Sequence, residues 1–208
     1  MTTAAPAYEW ALPLGSASVY PVGRRTLRAP FILVGSSGSR VHDAAALTAE
    51  VDHGEYSFRN ALHEAGYDLI LVHPMTSDTL DGTAYSSLQQ AILRTIAEKG
   101  DHHPLTICGI GRGALLTRYA LAKLEITRID HQVRNYLSYS STEPTNSQTT
   151  ELAKVGHWPI LPRKVEIITT DDNYRWTPGE FDDAIIGAAP AGKPLFTSDL
   201  GTRIITQL

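Results

Sequence analysis

Short apolar runs alternate with amphipathic segments along most of this chain, and the alternation constrains its fold more than any other feature. Each run stops at a glycine, a proline or a polar turn, as buried strands do. The intervening segments place apolar residues at helical spacing. Predicted strands cover residues 30–34, 67–72, 105–108, 133–139 and 164–169, with a short last one at 203–207, and predicted helices cover 58–65, 84–98 and 114–125. Such an order predicts an α/β fold with a mainly parallel sheet.

The length of 208 residues fits a single domain over residues 1–208. The first 28 residues are interrupted by proline and glycine, so we expect irregular structure there, with residues 16–22 as one edge strand. Residues 140–162 and 170–200 are polar and rich in Pro, Thr, Ser and Asp. They are predicted to be long loops, which in a compact domain usually carry function or move.

Charge and cysteine content exclude several classes of protein. The chain has 18 basic and 22 acidic residues, a net charge of −4 and no block of like charge, so no nucleic-acid partner is expected. Cys108 is the single cysteine, so a disulfide framework is excluded, and its place on a buried strand predicts a core residue. The N-terminus lacks the pattern of a signal peptide, and no stretch approaches the roughly 18 apolar residues of a membrane span. We expect a cytoplasmic protein.

One segment carries a chemical signature. Residues 105–108, a predicted strand, run through Gly109-Ile-Gly111-Arg-Gly113 into a helix that reads Ala-Leu-Leu-Thr-Arg-Tyr-Ala-Leu. This strand–turn–helix resembles the nucleophile elbow G-x-S-x-G of α/β-hydrolases, and more narrowly the lipase and esterase branch. The resemblance covers about residues 30–170. It implies a small three-layer α/β-hydrolase-like sandwich with a mainly parallel sheet.

The elbow departs from the family pattern at its central position. Gly111 stands where the resemblance implies the serine nucleophile, so no acyl-enzyme forms there. The family order is serine, acid, histidine; Asp171 or Asp172 is placed to be the acid, but no histidine follows them. His73, which ends a predicted strand at the same edge of the sheet, is the candidate general base. The chain is short for this fold, and we expect the shortfall, a last strand and helix, on the C-terminal side.

The remaining candidate residues form a ligand site at the carboxyl ends of the strands. Helix-start N–H groups and the Arg112 guanidinium favour an anionic or carbonyl-containing small molecule, and the loop after residue 34 adds hydroxyl and N–H donors. The predicted ligand-binding residues are Ser36, Ser37, Gly38, Ile110, Gly111, Arg112 and Ser140. No metal is expected, because His102 and His103 are adjacent and lack other ligands at suitable spacing. No nucleotide motif is present, so no cofactor is expected.

Three functions stay open at this point. The first is a catalytically degenerate hydrolase scaffold that binds a small molecule in the former active-site crevice, with or without non-covalent chemistry of the isomerase, lyase or cyclase type. The second is an acyl ester hydrolase whose nucleophile is substituted or relocated. The third is a non-catalytic interaction protein or homo-oligomer, in which a partner or second copy covers an exposed sheet edge.

Overall fold

A computed structural model describes residues 5–23, 26–35, 44–53, 55–74, 79–169, 179–188 and 195–208. Within these residues the chain forms eight strands and six helices. The strands are β1 (Tyr8–Ala11), β2 (Gly15–Tyr20), β3 (Ala29–Val34), β4 (Tyr67–Pro74), β5 (Leu105–Ile110), β6 (Val133–Tyr139), β7 (Arg163–Thr169) and β8 (Asp183–Gly187). The helices are α1 (Ala44–Val51), α2 (Phe58–Glu64), α3 (Thr83–Glu98), α4 (Arg112–Ile126), α5 (Asn146–Lys154) and α6 (Ser198–Thr206).

The described strands lie in one sheet of order β1-β2-β4-β3-β5-β6-β7-β8. β2 pairs antiparallel with both β1 and β4, and every pair from β4 to β8 is parallel. The predicted α/β fold with a mainly parallel sheet is therefore confirmed. β3 and β5 lie at its centre, and residues 31–34 of β3 are completely buried, which explains their unbroken apolar sequence.

Helices cover both faces of the sheet and complete a three-layer sandwich. On one face, apolar side chains of α3, α4 and α5 pack against the sheet, among them Leu88, Leu121 and Leu152. On the other face, α1, α2 and α6 contribute residues such as Leu47 and Leu62. Because successive side chains of a strand point to opposite faces, each inner strand contributes to both cores.

The N-terminal segment is more regular than the sequence predicted. Residues 15–20 form β2, but β2 is not the edge strand, because β1 pairs along its outer side. Trp10 of β1 is completely buried, and the Arg94 guanidinium lies 5.0 Å from the centre of its ring. One large aromatic side chain therefore anchors a strand of only four residues to the sheet.

The two predicted long loops contain regular elements. α5 begins within residues 140–162 with a capping box, in which Thr145 and Gln148 each bond the other's backbone N–H. β8 and the start of α6 lie within 170–200. The sheet thus has a further strand and helix after β7, where the sequence predicted a shortfall.

The predicted strand at 203–207 is wrong, because these residues belong to the end of α6 and its cap. The start of α6 is fixed by Thr197, whose hydroxyl accepts a hydrogen bond from the Leu200 N–H at 3.2 Å. Leu200 and Ile204, one turn apart, are both completely buried in the core of this face. The short apolar pair Ile204-Ile205 therefore belongs to an amphipathic helix.

Candidate functional site

A sharp strand-to-helix turn lies at the carboxyl end of the central strand β5. Gly111 stands between β5 and α4 with φ 53° and ψ −117°, a conformation that is strained for any residue with a side chain. Its N–H donates to the Tyr139 carbonyl at 2.9 Å, and its carbonyl accepts from the Ala114 N–H at 3.1 Å. Gly111 is therefore the N-cap of α4, and the turn is tied to β6.

The two flanking glycines are required for space. A Cβ atom on Gly109 would lie 2.5 Å from the Ala114 Cα, and one on Gly113 would lie 2.5 Å from the Gly35 carbonyl oxygen. Both distances are shorter than any real Cβ contact, and the obstructing atoms are backbone. The first turn of α4 is thus packed directly against the chain where it leaves β3. The small residues of the predicted elbow serve this close packing.

Gly35 connects the elbow to the next predicted part of the site. Its N–H donates to the Val72 carbonyl of β4 at 3.0 Å, which keeps the chain in line with the sheet just beyond β3. Ser36, Ser37 and Gly38, the predicted ligand-binding residues of this loop, lie outside the described residues. Their part in the site stays a prediction.

Ile110, Arg112 and Ser140 surround the elbow. Ile110 is buried in the core beneath the turn, so its side chain contributes mainly to packing. Arg112 is the first residue of α4 and is exposed. Ser140 follows β6 with φ 44°, a backbone conformation that is uncommon for serine. Since β6 is hydrogen-bonded to β5, the structure brings these residues together with Gly111 at one edge of the sheet.

His73 is at the same edge but two strands away. β3 lies between β4 and β5, so the backbones of His73 and Gly111 are about 10 Å apart at the usual strand spacing. The buried His73 ring has its Nε2 atom 3.4 Å from the Ser18 hydroxyl, and that hydroxyl is 3.5 Å from a Glu9 carboxylate oxygen. Its role as a general base stays a prediction.

Solved esterases have the same architecture. An esterase from Pyrobaculum calidifontis aligns with a TM-score of 0.59 over 96% of this chain and 82% of its own, at 11% identity. A fungal esterase from Rhizomucor miehei aligns at 0.55 over 93% and 78%, with 10% identity. The chain has the α/β-hydrolase fold. A putative carboxylesterase from Lactobacillus plantarum aligns at 0.54 over 84% of both chains, with 9% identity.

Sequence comparison adds nothing to this relationship, since no protein-family model and no curated protein sequence matches the chain. At about 10% identity, the likeness shows the hydrolase fold alone. Side chains of the site must therefore be interpreted from their own chemistry.

The other two positions of a hydrolase triad are those of the acid and the histidine. Asp171, the predicted acid, lies outside the described residues, just after β7. Between β8 and α6, where the hydrolase order expects a histidine, residues 188–197 contain none. Leu195 and Phe196 pack against β6 and α2: the Tyr139 hydroxyl donates to the Leu195 carbonyl at 2.7 Å, and Phe196 stacks on Phe58 with ring centres 4.2 Å apart.

A buried polar cluster beneath the elbow was missed by sequence reasoning. Ser138 and Glu166 are neighbours across β6 and β7 and are both almost completely buried, level with Gly109 of β5. Tyr136, on the same face, donates its hydroxyl hydrogen to the Ala114 carbonyl at 2.8 Å. Burial raises the pKa of Tyr136, which keeps the phenol protonated. No local sequence pattern reveals this cluster, since register across strands creates it.

Cys108 has the predicted structural role. It is completely buried, and burial raises the pKa of its thiol, so the neutral form persists. Across the described residues, no group of three or more His, Cys, Asp and Glu side chains is placed to hold a metal ion. Nor is any helix in the described ranges long and apolar enough to cross a bilayer.

Proposed function

We propose that this chain is a hydrolase-fold protein that binds a small anionic or carbonyl compound at the elbow and does not use covalent serine chemistry. The single observation that carries the proposal is Gly111 at the N-cap of α4, in the backbone conformation of a nucleophile elbow but without a side chain. Glycine offers no hydroxyl or thiol to attack an ester, so an acyl-enzyme is excluded at this position.

The chemistry of a helix start supports binding of an anion. The first N–H groups of α4 have no acceptor within the helix, and the helix dipole favours negative charge there. Arg112 adds an exposed guanidinium at the same turn, which suits a carboxylate or a phosphate. With only hydrogen at its Cα, Gly111 allows a ligand oxygen to approach the backbone closely.

Any reaction of the bound compound would then be non-covalent. Proton transfer by one positioned side chain is enough for many isomerase, lyase and cyclase reactions. His73 and Asp171 are the candidate groups for that transfer. His73 ends a strand at the same edge of the sheet as Gly111, and Asp171 follows β7 in the sequence.

An ester-hydrolysis assay tests the absence of serine chemistry. The natural chain is expected to hydrolyse p-nitrophenyl acetate no faster than buffer. Gly111→Ser restores a hydroxyl but not the histidine of the triad, so it should also give no turnover. Multiple turnovers by the natural chain would contradict the proposal and favour an esterase with a relocated nucleophile.

A second experiment tests the ligand class. Thermal unfolding is followed with increasing butyrate, inorganic phosphate or acetone, because a ligand that binds only the folded state raises the transition temperature. Arg112→Ala should abolish the shift for the anions. Arg203→Ala, which removes an exposed arginine from α6 on the opposite face of the sheet, is the matched control and should keep the shift. Equal shifts in both variants would reject an anion site at Arg112.

A further inference from the structure

An apolar protrusion lies at the end of the sheet opposite the elbow. The chain between α5 and β7 turns there through Pro159-Ile160-Leu161-Pro162, which we name the apolar tip. Ile160 is 84% exposed and Leu161 is 68% exposed, the largest values among the large hydrophobic side chains of the described residues. Ile126, the last residue of α4, is 57% exposed and follows directly on the residue that holds the tip.

The backbone of the tip is fixed by one carboxylate. Glu125 accepts hydrogen bonds from the N–H of Ile160 at 2.7 Å and from that of Leu161 at 2.9 Å. Pro159 and Pro162 have no N–H. Every backbone N–H of residues 159–162, all of which the structure describes, is therefore either absent or bonded within the protein.

The carboxylate that holds the tip is itself held in place. His131, which is almost completely buried, has its Nε2 atom 3.2 Å from a Glu125 oxygen. Its Nδ1 atom accepts the Val133 N–H at 3.0 Å, so Nε2 carries the ring proton and donates it to Glu125. Three donors converge on one side chain, and the tip keeps its shape without needing a partner.

We propose that the apolar tip docks the protein on a lipid surface, with Ile160 and Leu161 inserted among the acyl chains. An apolar medium penalises every unbonded backbone N–H and C=O group. The N–H groups of the tip are all bonded, and insertion of the side chains alone leaves its carbonyl oxygens among the hydrated headgroups. Aliphatic side chains that protrude gain free energy by leaving water in proportion to the apolar area that they bury. This docking is independent of the function proposed for the elbow.

Size and charge favour a lipid surface over a protein partner. A stable protein interface uses about 20 residues or more on each side, whereas the tip is a loop of four residues with one further exposed side chain, Ile126, at the end of α4. Arg163 and Lys164, the basic residues that follow the tip directly, are both paired, with Asp183 and Asp182. We therefore expect attachment to neutral lipid, driven by apolar insertion and insensitive to salt.

The fold sets the orientation of the docked protein. α4 begins at the elbow and ends at Ile126, and its 15 residues span about 22 Å. A chain attached through the tip would hold the elbow about that far from the bilayer and facing away from it. Docking would leave the candidate site open to compounds dissolved in water.

Vesicle flotation tests the proposal on the full-length chain. The natural chain should float with phosphatidylcholine vesicles, with and without 1 M NaCl. The double variant Ile160→Ser, Leu161→Ser should lower the partition coefficient at least about tenfold, because two aliphatic side chains are lost from the inserted loop. Ile186→Ser removes a 61% exposed isoleucine from β8 and is the matched control, expected to float like the natural chain.

Three results of the flotation experiment would overturn the proposal. The first is failure of the natural chain to float with the vesicles, and the second is binding of the double variant as strong as that of the natural chain. In sedimentation without lipid, self-association of the natural chain that the double variant loses would show that a second copy covers the tip.

A fluorescent label measures insertion directly. Cys108 is completely buried, so a cysteine introduced as Leu161→Cys is the accessible thiol for an environment-sensitive dye. Its emission should shift to the blue on addition of phosphatidylcholine vesicles, whereas the same dye at Ile186→Cys should not respond. An unchanged spectrum at position 161 would contradict insertion.

Discussion

The two ends of α4 organise their surroundings by opposite means. At its start, Gly109 and Gly113 let backbone approach backbone, and the positive φ of Gly111 sets the turn. At its end, the Glu125 carboxylate accepts hydrogen bonds from the His131 ring and from the backbone N–H groups of residues 160 and 161. The elbow therefore depends on the absence of side chains, and the far end depends on the presence of one. Added volume should damage the first, and lost hydrogen-bond acceptors should damage the second.

The largest effect is expected from adding volume at the elbow. Gly113→Ala places a methyl group against the Gly35 and Val34 carbonyl oxygens and should lower the free energy of unfolding by about 3 kcal/mol or more. Urea unfolding followed by circular dichroism measures the loss. The control is Gly66→Ala, where φ is +87° and no atom lies within 4 Å, and it should cost about 1–2 kcal/mol. Equal losses would mean that close packing does not control the elbow.

Removing the acceptor at the far end should have a nearly comparable effect. Glu125→Ala leaves the His131 ring and two backbone N–H groups without their acceptor, and should destabilise the fold by about 3 kcal/mol. Asp199→Ala, which breaks an exposed ion pair with Arg203, should change stability by less than about 0.5 kcal/mol. Denaturant titration of both variants measures their free energies of unfolding. If Glu125→Ala loses no more stability than Asp199→Ala, the far end of α4 does not depend on this carboxylate.

A smaller effect of defined sign is expected at Gly111. Replacing glycine by alanine at a position with negative φ usually stabilises a protein, because it reduces the entropy of the unfolded chain. At the positive φ of Gly111, Gly111→Ala should instead destabilise by about 2 kcal/mol. A calorimetric transition temperature that rises in Gly111→Ala would show that the turn is not strained and would break the comparison with a nucleophile elbow.

The smallest effect concerns pH and sharpens the description of the elbow strand. Burial raises the pKa of Cys108, so the folded thiol keeps its proton above about pH 8.5, where the unfolded thiol loses it. The unfolded state then binds fewer protons, and stability falls as pH rises. Between pH 7.5 and 9.5 the loss should be about 1 kcal/mol. In Cys108→Ala, the free energy of unfolding measured with urea should fall by that much less over the same pH range. Identical pH profiles of the two proteins would contradict a buried neutral thiol.

Local patterns made the centre of the fold predictable from the sequence. The strand and helices around Leu105 and Ala114, and the glycine turn between them, are contiguous in the chain, so their spacing shows the elbow directly. β1 and β8 have only four and five residues, too few for a clear period. α6 ends in the β-branched run Ile204-Ile205-Thr206, a composition that is typical of a strand. The capping box at Thr145 was the available signal for α5.

The candidate site was predictable only where it is local. Gly111 and Arg112 follow from the elbow motif, but the neighbours that define their surroundings come from other strands. Ser138 and Glu166 are 28 positions apart, and the register of β6 on β7 alone puts them side by side. The hydrogen bonds of Glu125 with residues 160 and 161 likewise join positions that are 35 and 36 residues apart. Such contacts depend on topology, which residue periodicity does not encode.

The strand order also has a consequence for synthesis. β1 to β4 come from the first 74 residues and form one half of the sheet, and β5, which closes the open side of β3, begins 31 residues later. Until β5 emerges from the ribosome, the apolar strand β3 is the unprotected edge of a half-built sheet, the kind of surface that aggregates or recruits chaperones. Once β5 pairs with β3, the open edge moves to β5 and is closed in turn by β6, β7 and β8 as they are synthesised.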